Sequence, residues 1–179
     1  MIMNKEVKIN VDKNIQLRNL MKGDVTEQYV AWLNDYEIMK YTIQIYSEHS
    51  FAGVCDFVEQ KYNSENDLLF GIFLNDKHIG NVKLGPITWE HKKADVSYII
   101  GNKNYWGRGI ATRCLDSIVK YGTEVLLLEK INAGYYDLNV GSEKVLKKCG
   151  FCIEGVKVSE VIFEGKRINS ILVGFIPKS

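Results

Sequence analysis

Proline is scarce in this chain, at 2 of 179 residues, and its 15 glycines follow no fixed period. Collagen-like and low-complexity architectures are excluded by that composition. Long apolar runs are also missing. The longest are of the order of Val125–Leu128, whereas a bilayer-spanning helix needs roughly 18–20 residues. Met1–Asp12 mixes charged and apolar positions and holds no apolar leader core, so neither a secretory signal nor membrane attachment is expected, and a cytoplasmic protein is. An excess of one charge is absent too: 23 basic and 22 acidic residues leave a net charge of +1. A general polyanion binder is thereby excluded, and nucleic acid is not an expected partner. The two halves do differ in sign, the first acidic and the second basic. That is either scatter over a solvated surface or a second half that holds an anionic ligand.

Metal- and thiol-based chemistry has little to build on. The 3 histidines, His49, His78 and His91, lie far apart and form no ligand motif. Of the 4 cysteines, Cys149 and Cys152 have C-x-x-C spacing. They follow a helical stretch instead of opening one, so the dipole that would activate a thiol is missing. No second pair or nearby histidine pair completes a zinc site. Ordinary burial of the thiols and no metal are expected. What the chain does have is 46% hydrophobic and 11% aromatic residues, enough for one substantial core in a single domain over residues 1–179.

The hydrophobic period changes along the chain. Ile15–Asn19 alternates as a first strand. Asp24 is placed to cap a helix reaching Leu33, with a short continuation over Glu37–Lys40, and Ser47 or Ser50 to cap a second helix with Phe51, Val54, Cys55 and Val58 on one face. Leu68–Leu74, His78–Leu84 and Ala94–Gly101 read as an antiparallel meander, turned at Asn75-Asp76-Lys77 and broken or bulged at Gly85-Pro86. A loop over Asn102–Gly109 leads into a helix from Ile110 to Tyr121, ended by Gly122. Strand Lys130–Leu138, helix Val140–Lys148 closed by Gly150, strand Phe151–Val158, and a hairpin of Val161–Phe163 and Ile168–Phe175 follow. The fold class is α+β, with a mostly antiparallel central sheet.

Two segments carry the chemistry. In Trp106-Gly107-Arg108-Gly109-Ile110-Ala111-Thr112, two glycines precede a helix whose first amides have no internal partner. Such a positive helix end suits phosphate groups. A P-loop is excluded because no Gly-Lys-Ser/Thr follows. A dinucleotide fingerprint needs Gly or Ala where Thr112 stands and a parallel unit around it. Read alone, the segment is either a phosphate cradle or a plain turn. The second segment, Asn139-Val140-Gly141-Ser142 through Gly150-Phe151, places Asn139 at a strand-to-helix junction, where it is a cap unless something binds there.

Together these segments resemble the GNAT superfamily of acyl-CoA-dependent N-acetyltransferases. The likeness is nearest to the branch of the bacterial ribosomal-protein N-terminal acetyltransferases (RimJ/RimL-like). It rests on Tyr105-Trp106-Gly107-x-Gly109, Gly150-Phe151-x-x-Glu154-Gly155 and Trp32-Leu33-Asn34-Asp35, and spans about residues 15–176. The resemblance implies a sheet splayed at an acetyl-CoA site. Backbone groups of Ile99, Ile100 and Gly101 would pair with the pantetheine arm. Gly107, Arg108, Gly109, Ile110, Ala111 and Thr112 would hold the diphosphate, Asn139 would hold the pantetheine or help splay the two strands, and Ser142 would contact the cofactor. It implies direct attack of a neutral amine on the thioester. Ser142 is then a proton donor or positioning group, and Glu154 is either the general base or a surface carboxylate. Many members carry a tyrosine in the later helix, where this chain has Leu146. The acceptor wall would include Trp32, Tyr41, Tyr46 and Asn169, with Trp32 otherwise a core residue.

Amine basicity narrows the acceptor. At pH 7 an α-amine with pKa ~7.8 is roughly 14% neutral, and lysine at ~10.4 only about 0.04%. A nucleotide-linked amino-sugar amine and a protein N-terminal amine are the two favoured acceptors, the former supported by likeness of His78–Asn81 and Gly85–Ile87 to amino-sugar-modifying relatives. The alternative function is a non-catalytic acyl-CoA-binding module. A monomer or homodimer is expected.

Overall fold

The computed structural model describes residues 6–178; part of the N-terminal stretch read above as lacking a leader lies outside them. Its strands are β1 (Lys8–Asn10), β2 (Ile15–Asn19), β3 (Leu68–Leu74), β4 (Lys77–Thr88), β5 (Lys93–Ile100), β6 (Lys130–Tyr136), β7 (Cys152–Phe163) and β8 (Lys166–Phe175). Its α-helices are α1 (Glu27–Leu33), α2 (Tyr36–Met39), α3 (Phe51–Asn63), α4 (Ile110–Lys120) and α5 (Val140–Lys148). The strands make one sheet in the order β1-β2-β3-β4-β5-β6-β8-β7. Every pairing is antiparallel except β5 with β6. This is the mixed α+β fold expected from the sequence. No helix of the described residues is long and apolar enough to cross a membrane.

Helices cover the sheet on both faces, which is why β3 is buried along nearly its whole length and reads as a continuous apolar run. On one face, Cys114, Leu115 and Ile118 of α4 and Leu146 of α5 pack with Phe70, Ile72, Val82 and Leu84. On the other, Tyr29, Val30 and Trp32 of α1 and Val54 and Val58 of α3 pack with Leu69 and Phe73. The β3–β4 hairpin turns on Asn75 and Asp76, both with positive φ, the arrangement that suits the strand twist.

Several expectations need correction. Asp24 does not cap α1. It ends a one-turn 3-10 helix and takes both guanidinium nitrogens of Arg18, at 2.7 and 2.8 Å, a bidentate pair that outcompetes a cap role. Thr26 caps α1 instead, its hydroxyl accepting from the Tyr29 amide. Ser50, not Ser47, caps α3. Gly122 does not stop α4, because a π-turn carries the chain on to Val125. The glycine is needed because Ile131 and Leu128 press against it. The two stretches expected as separate strands, 151–158 and 161–163, fall on one strand, β7 (Cys152–Phe163), continuous through a register shift between Lys157 and Val161. Of the cysteines, Cys55, Cys114 and Cys149 are buried and Cys152 is exposed.

Candidate active site

The parallel pairing of β5 with β6 covers only Lys93–Asp95 against Lys130–Asn132. Beyond it the strands part, although β5 stays paired with β4 as far as Ile100. One edge of β5 is therefore left without a strand partner from Val96 onward. Into the opening face the N-terminus of α4, the N-terminus of α5 and the α2 segment, which enclose a cavity of about 640 Å³.

The loop between β5 and α4 is held by its own side chains. The Trp106 indole N–H donates to the Ile100 carbonyl at 2.7 Å, and Asn102 caps the turn by accepting from the Asn104 amide. Gly107 and Gly109 have φ of +72° and +70°, and a side-chain carbon added to either would meet nothing within 4 Å. Packing does not demand these glycines. The left-handed backbone and the open space above it do. α4 thus presents unpaired amides to the cavity, with Lys144 and Lys148 one turn apart on α5 along its wall. Neither lysine has a carboxylate partner among the described residues. An anion fits here.

Ile99, Ile100, Gly107, Gly109, Ile110, Ala111, Thr112, Asn139, Ser142 and Tyr41 all line this cavity. Gly101 lies instead against the Trp32 indole, too close for any side chain. Arg108 points outward, its guanidinium 5.6 Å from the Tyr105 ring centre. Asn139 caps α5, its Oδ1 accepting from the Ser142 amide at 3.1 Å. The Ser142 hydroxyl lies 3.0 Å from the Tyr98 hydroxyl. Burial pushes the Tyr98 phenol up to about 12, with the Ser142 hydrogen bond opposing in part, so it is protonated at neutral pH. Sequence reasoning missed Tyr98. Its signal was the alternation Val96, Tyr98, Ile100 on one face of β5.

Four further expected site residues, Glu154, Asn169, Trp32 and Tyr46, do not line this cavity. Glu154 is bound to Lys130 at 2.6 Å and packed on Gly174, at the level where β5 and β6 are still paired. The Gly-Phe-x-x-Glu pattern fixes its place on β7, and β7 carries it to the opposite end of the sheet from the opening. Asn169 takes the Ser159 amide on its Oδ1 at 2.9 Å and so supports the β7 irregularity. Trp32 is core, 6% exposed. Tyr46 donates to the Ile162 carbonyl, Tyr36 donates to Glu164, and Tyr41 stacks on Phe163 at 5.3 Å. These contacts strap the α2 segment to the β7–β8 hairpin.

A second cavity, of about 510 Å³, opens on the other side of β5. It lies among α1, α3, the segment after α2 and the β4–β5 surface. Tyr98, Ile99 and Thr42 border both cavities, so the two meet across the unpaired edge of β5. Two reactants entering from opposite faces would meet beside Tyr98.

Comparison with known proteins decides the family. The model of the acetyltransferase (GNAT) domain matches residues 14–152. The chain belongs to the GNAT acetyltransferase family. It is 28% identical to the spermidine N(1)-acetyltransferase of Escherichia coli K12 over 162 residues, covering 88% of this chain and 83% of that protein. The structure of a spermidine N-acetyltransferase from Vibrio cholerae, solved with CoA and spermine, superposes with a TM-score of 0.82 at 23% identity, over 92% and 96% of the two chains. That of the ribosomal-protein-S5-alanine acetyltransferase from Vibrio fischeri gives 0.81 at 23% identity, over 96% and 97%. These structural likenesses establish the GNAT fold of the chain.

Proposed function

We propose that this chain is an acetyl-CoA-dependent N-acetyltransferase that moves an acetyl group to a primary amine in a ternary complex. The observation that carries the reading is the unpaired edge of β5, with a cavity on each side and a glycine turn at the helix end beside one of them. Acetyl-CoA, when bound, supplies an acetyl group activated as a thioester. The amides of Gly107–Thr112 would hold its diphosphate, with Lys144 and Lys148 alongside. The free edge of β5 at Ile99 and Ile100 would pair with the pantetheine arm. The acceptor would occupy the second cavity.

Backbone N–H groups at that edge would stabilise the oxyanion that forms when the amine attacks the carbonyl carbon, worth about 3 kcal/mol per well-placed donor. As the C–S bond breaks, Tyr98 would give its hydroxyl proton to the departing sulfur and recover one through Ser142. The nitrogen loses one proton to solvent as the sulfur gains one, so the exchange balances. Leu146, 2% exposed, occupies the place of the usual helical tyrosine and is the observation that favours a non-catalytic acyl-CoA-binding module. The Tyr98–Ser142 pair supplies from β5 the donor that α5 lacks, and favours catalysis. The acceptor is an amine of low basicity, on a nucleotide-linked amino sugar or at a peptide N-terminus, because no carboxylate borders the second cavity among the described residues and its one imidazole, His49, lies against the Gln44 carbonyl. We place the reaction in the cytoplasm, by a monomer or homodimer. Thiol release from acetyl-CoA over a panel of amines tests the proposal. Turnover supports it, and binding of acetyl-CoA without turnover of any amine supports the module instead.

A further inference from the structure

The second cavity carries a charge pattern that acetyl transfer by itself does not require. Among its described lining residues there is no aspartate or glutamate, the one lysine is Lys83 and the one histidine is His49. Lys83 lies on β4 opposite Ser97 of β5 and is half-buried. It has no ion pair or hydrogen-bond partner among the described residues. A partly desolvated ammonium in an otherwise largely apolar cavity is costly unless an anion arrives.

Two residues before it, Asn81 is 5% exposed and also lines the cavity. The His78 Nε2 atom lies 2.8 Å from the Asn81 Oδ1 and 3.0 Å from the Gly80 carbonyl. The Gly80 carbonyl can only accept, so Nε2 carries the proton and the Asn81 oxygen is turned to His78. The Asn81 amide nitrogen is left buried and unpartnered. The cavity wall therefore holds an unpaired cation, with a buried unsatisfied donor two residues away on the same strand and, among the described lining residues, no carboxylate to match the cation.

Resting on the acetyltransferase reading, we propose that the acceptor is a small amine bearing an anionic group, a phosphate or a carboxylate, that pairs with Lys83. A polycation is disfavoured, because its extra ammonium groups would meet Lys83 and no carboxylate among the described residues lining this cavity. The cavity volume suits a small molecule.

The test measures thiol release with glucosamine 6-phosphate, UDP-glucosamine, an N-terminally acidic dipeptide, uncharged glucosamine and spermidine. The phosphate-bearing amines or the dipeptide should exceed glucosamine and spermidine at least tenfold in kcat/KM, and whichever of the two leads identifies phosphate or carboxylate as the anion. Lys83→Gln should erase that preference by raising KM for the anionic amine at least tenfold, leaving the KM for acetyl-CoA unchanged. Thermal midpoint and acetyl-CoA affinity verify that the variant is folded. Preference for spermidine, or an anionic preference that survives Lys83→Gln, overturns the proposal while leaving acetyl transfer standing. No thiol release with any amine, together with no thermal stabilisation by acetyl-CoA, overturns the acetyltransferase reading and this proposal with it.

Discussion

The two cavities that meet at β5 are built from different materials. The one facing α4 and α5 is made largely of backbone: a glycine turn, unpaired helix amides and the free edge of a strand, with lysines at its margin. The one facing α1 and α3 is made of side chains contributed by α1, the segment after α2, α3, β3, β4 and β5. A backbone-built site recognises a ligand by groups that every residue carries, so it tolerates sequence drift and suits a shared co-substrate. A side-chain site changes with each substitution and suits an acceptor peculiar to one enzyme.

The sharpest way to break this contrast is at Gly109. With φ of +70°, Gly109→Val forces a β-branched residue into left-handed backbone, at about 1–2 kcal/mol, and puts a side chain where the diphosphate would approach. Acetyl-CoA binding by calorimetry should be lost while the fold persists. Retained affinity would mean that the ligand does not use this turn. Next is Tyr98, which borders both sides. Tyr98→Phe should lower kcat about 100-fold with little change in either KM, and Ser142→Ala about tenfold. If kcat holds in Tyr98→Phe, the sulfur takes its proton from elsewhere.

On the acceptor side the support is packing. Trp32 is buried beneath Gly101, and Trp32→Ala should cost about 3–5 kcal/mol in a urea unfolding curve. His78 offers a pH test of the same wall. Burial holds its imidazole below the ordinary 6.5, so the unfolded chain binds the proton more readily than the folded one. Stability is then complete above pH 6.5 and is lost as pH falls below it. The thermal midpoint should drop between pH 7.5 and 5.5, and the drop should shrink in His78→Gln. Smallest of all is Glu154→Gln. The carboxylate is about one-third exposed in its pair with Lys130 and lies away from the opening, so kcat should be unchanged and stability should shift by less than about 1 kcal/mol. A loss of turnover would restore it as a base.

The same contrast explains what the sequence disclosed. Trp106–Thr112 is contiguous and its left-handed turn is a matter of backbone conformation, so two glycines before a helix announced it. Asn139 and Ser142 were legible because a strand-to-helix junction has few possible uses. The meander, its Asn75-Asp76 turn and the α4 and α5 stripes followed from period and turn chemistry. Tyr98 stayed hidden because an aromatic in a strand of β-formers reads as core, and only the parting of β5 from β6 uncovers it. Lys83 and Asn81 stayed hidden because their meaning lies in what surrounds them, namely residues far away in sequence on α1, α3 and the α2 segment. Glu154 lies away from the opening for the opposite reason: a local pattern fixed its strand, but the register that sets its height on the sheet is a long-range property.

Hydrogen exchange followed by mass spectrometry, with and without CoA, tests most directly the claim that the start of α4 grips the carrier's diphosphate. Peptides covering residues 106–113 should gain strong protection on CoA addition, while those covering the β7–β8 turn at 162–167 change far less. Saturating CoA that leaves the 106–113 amides exchanging as before would contradict the account.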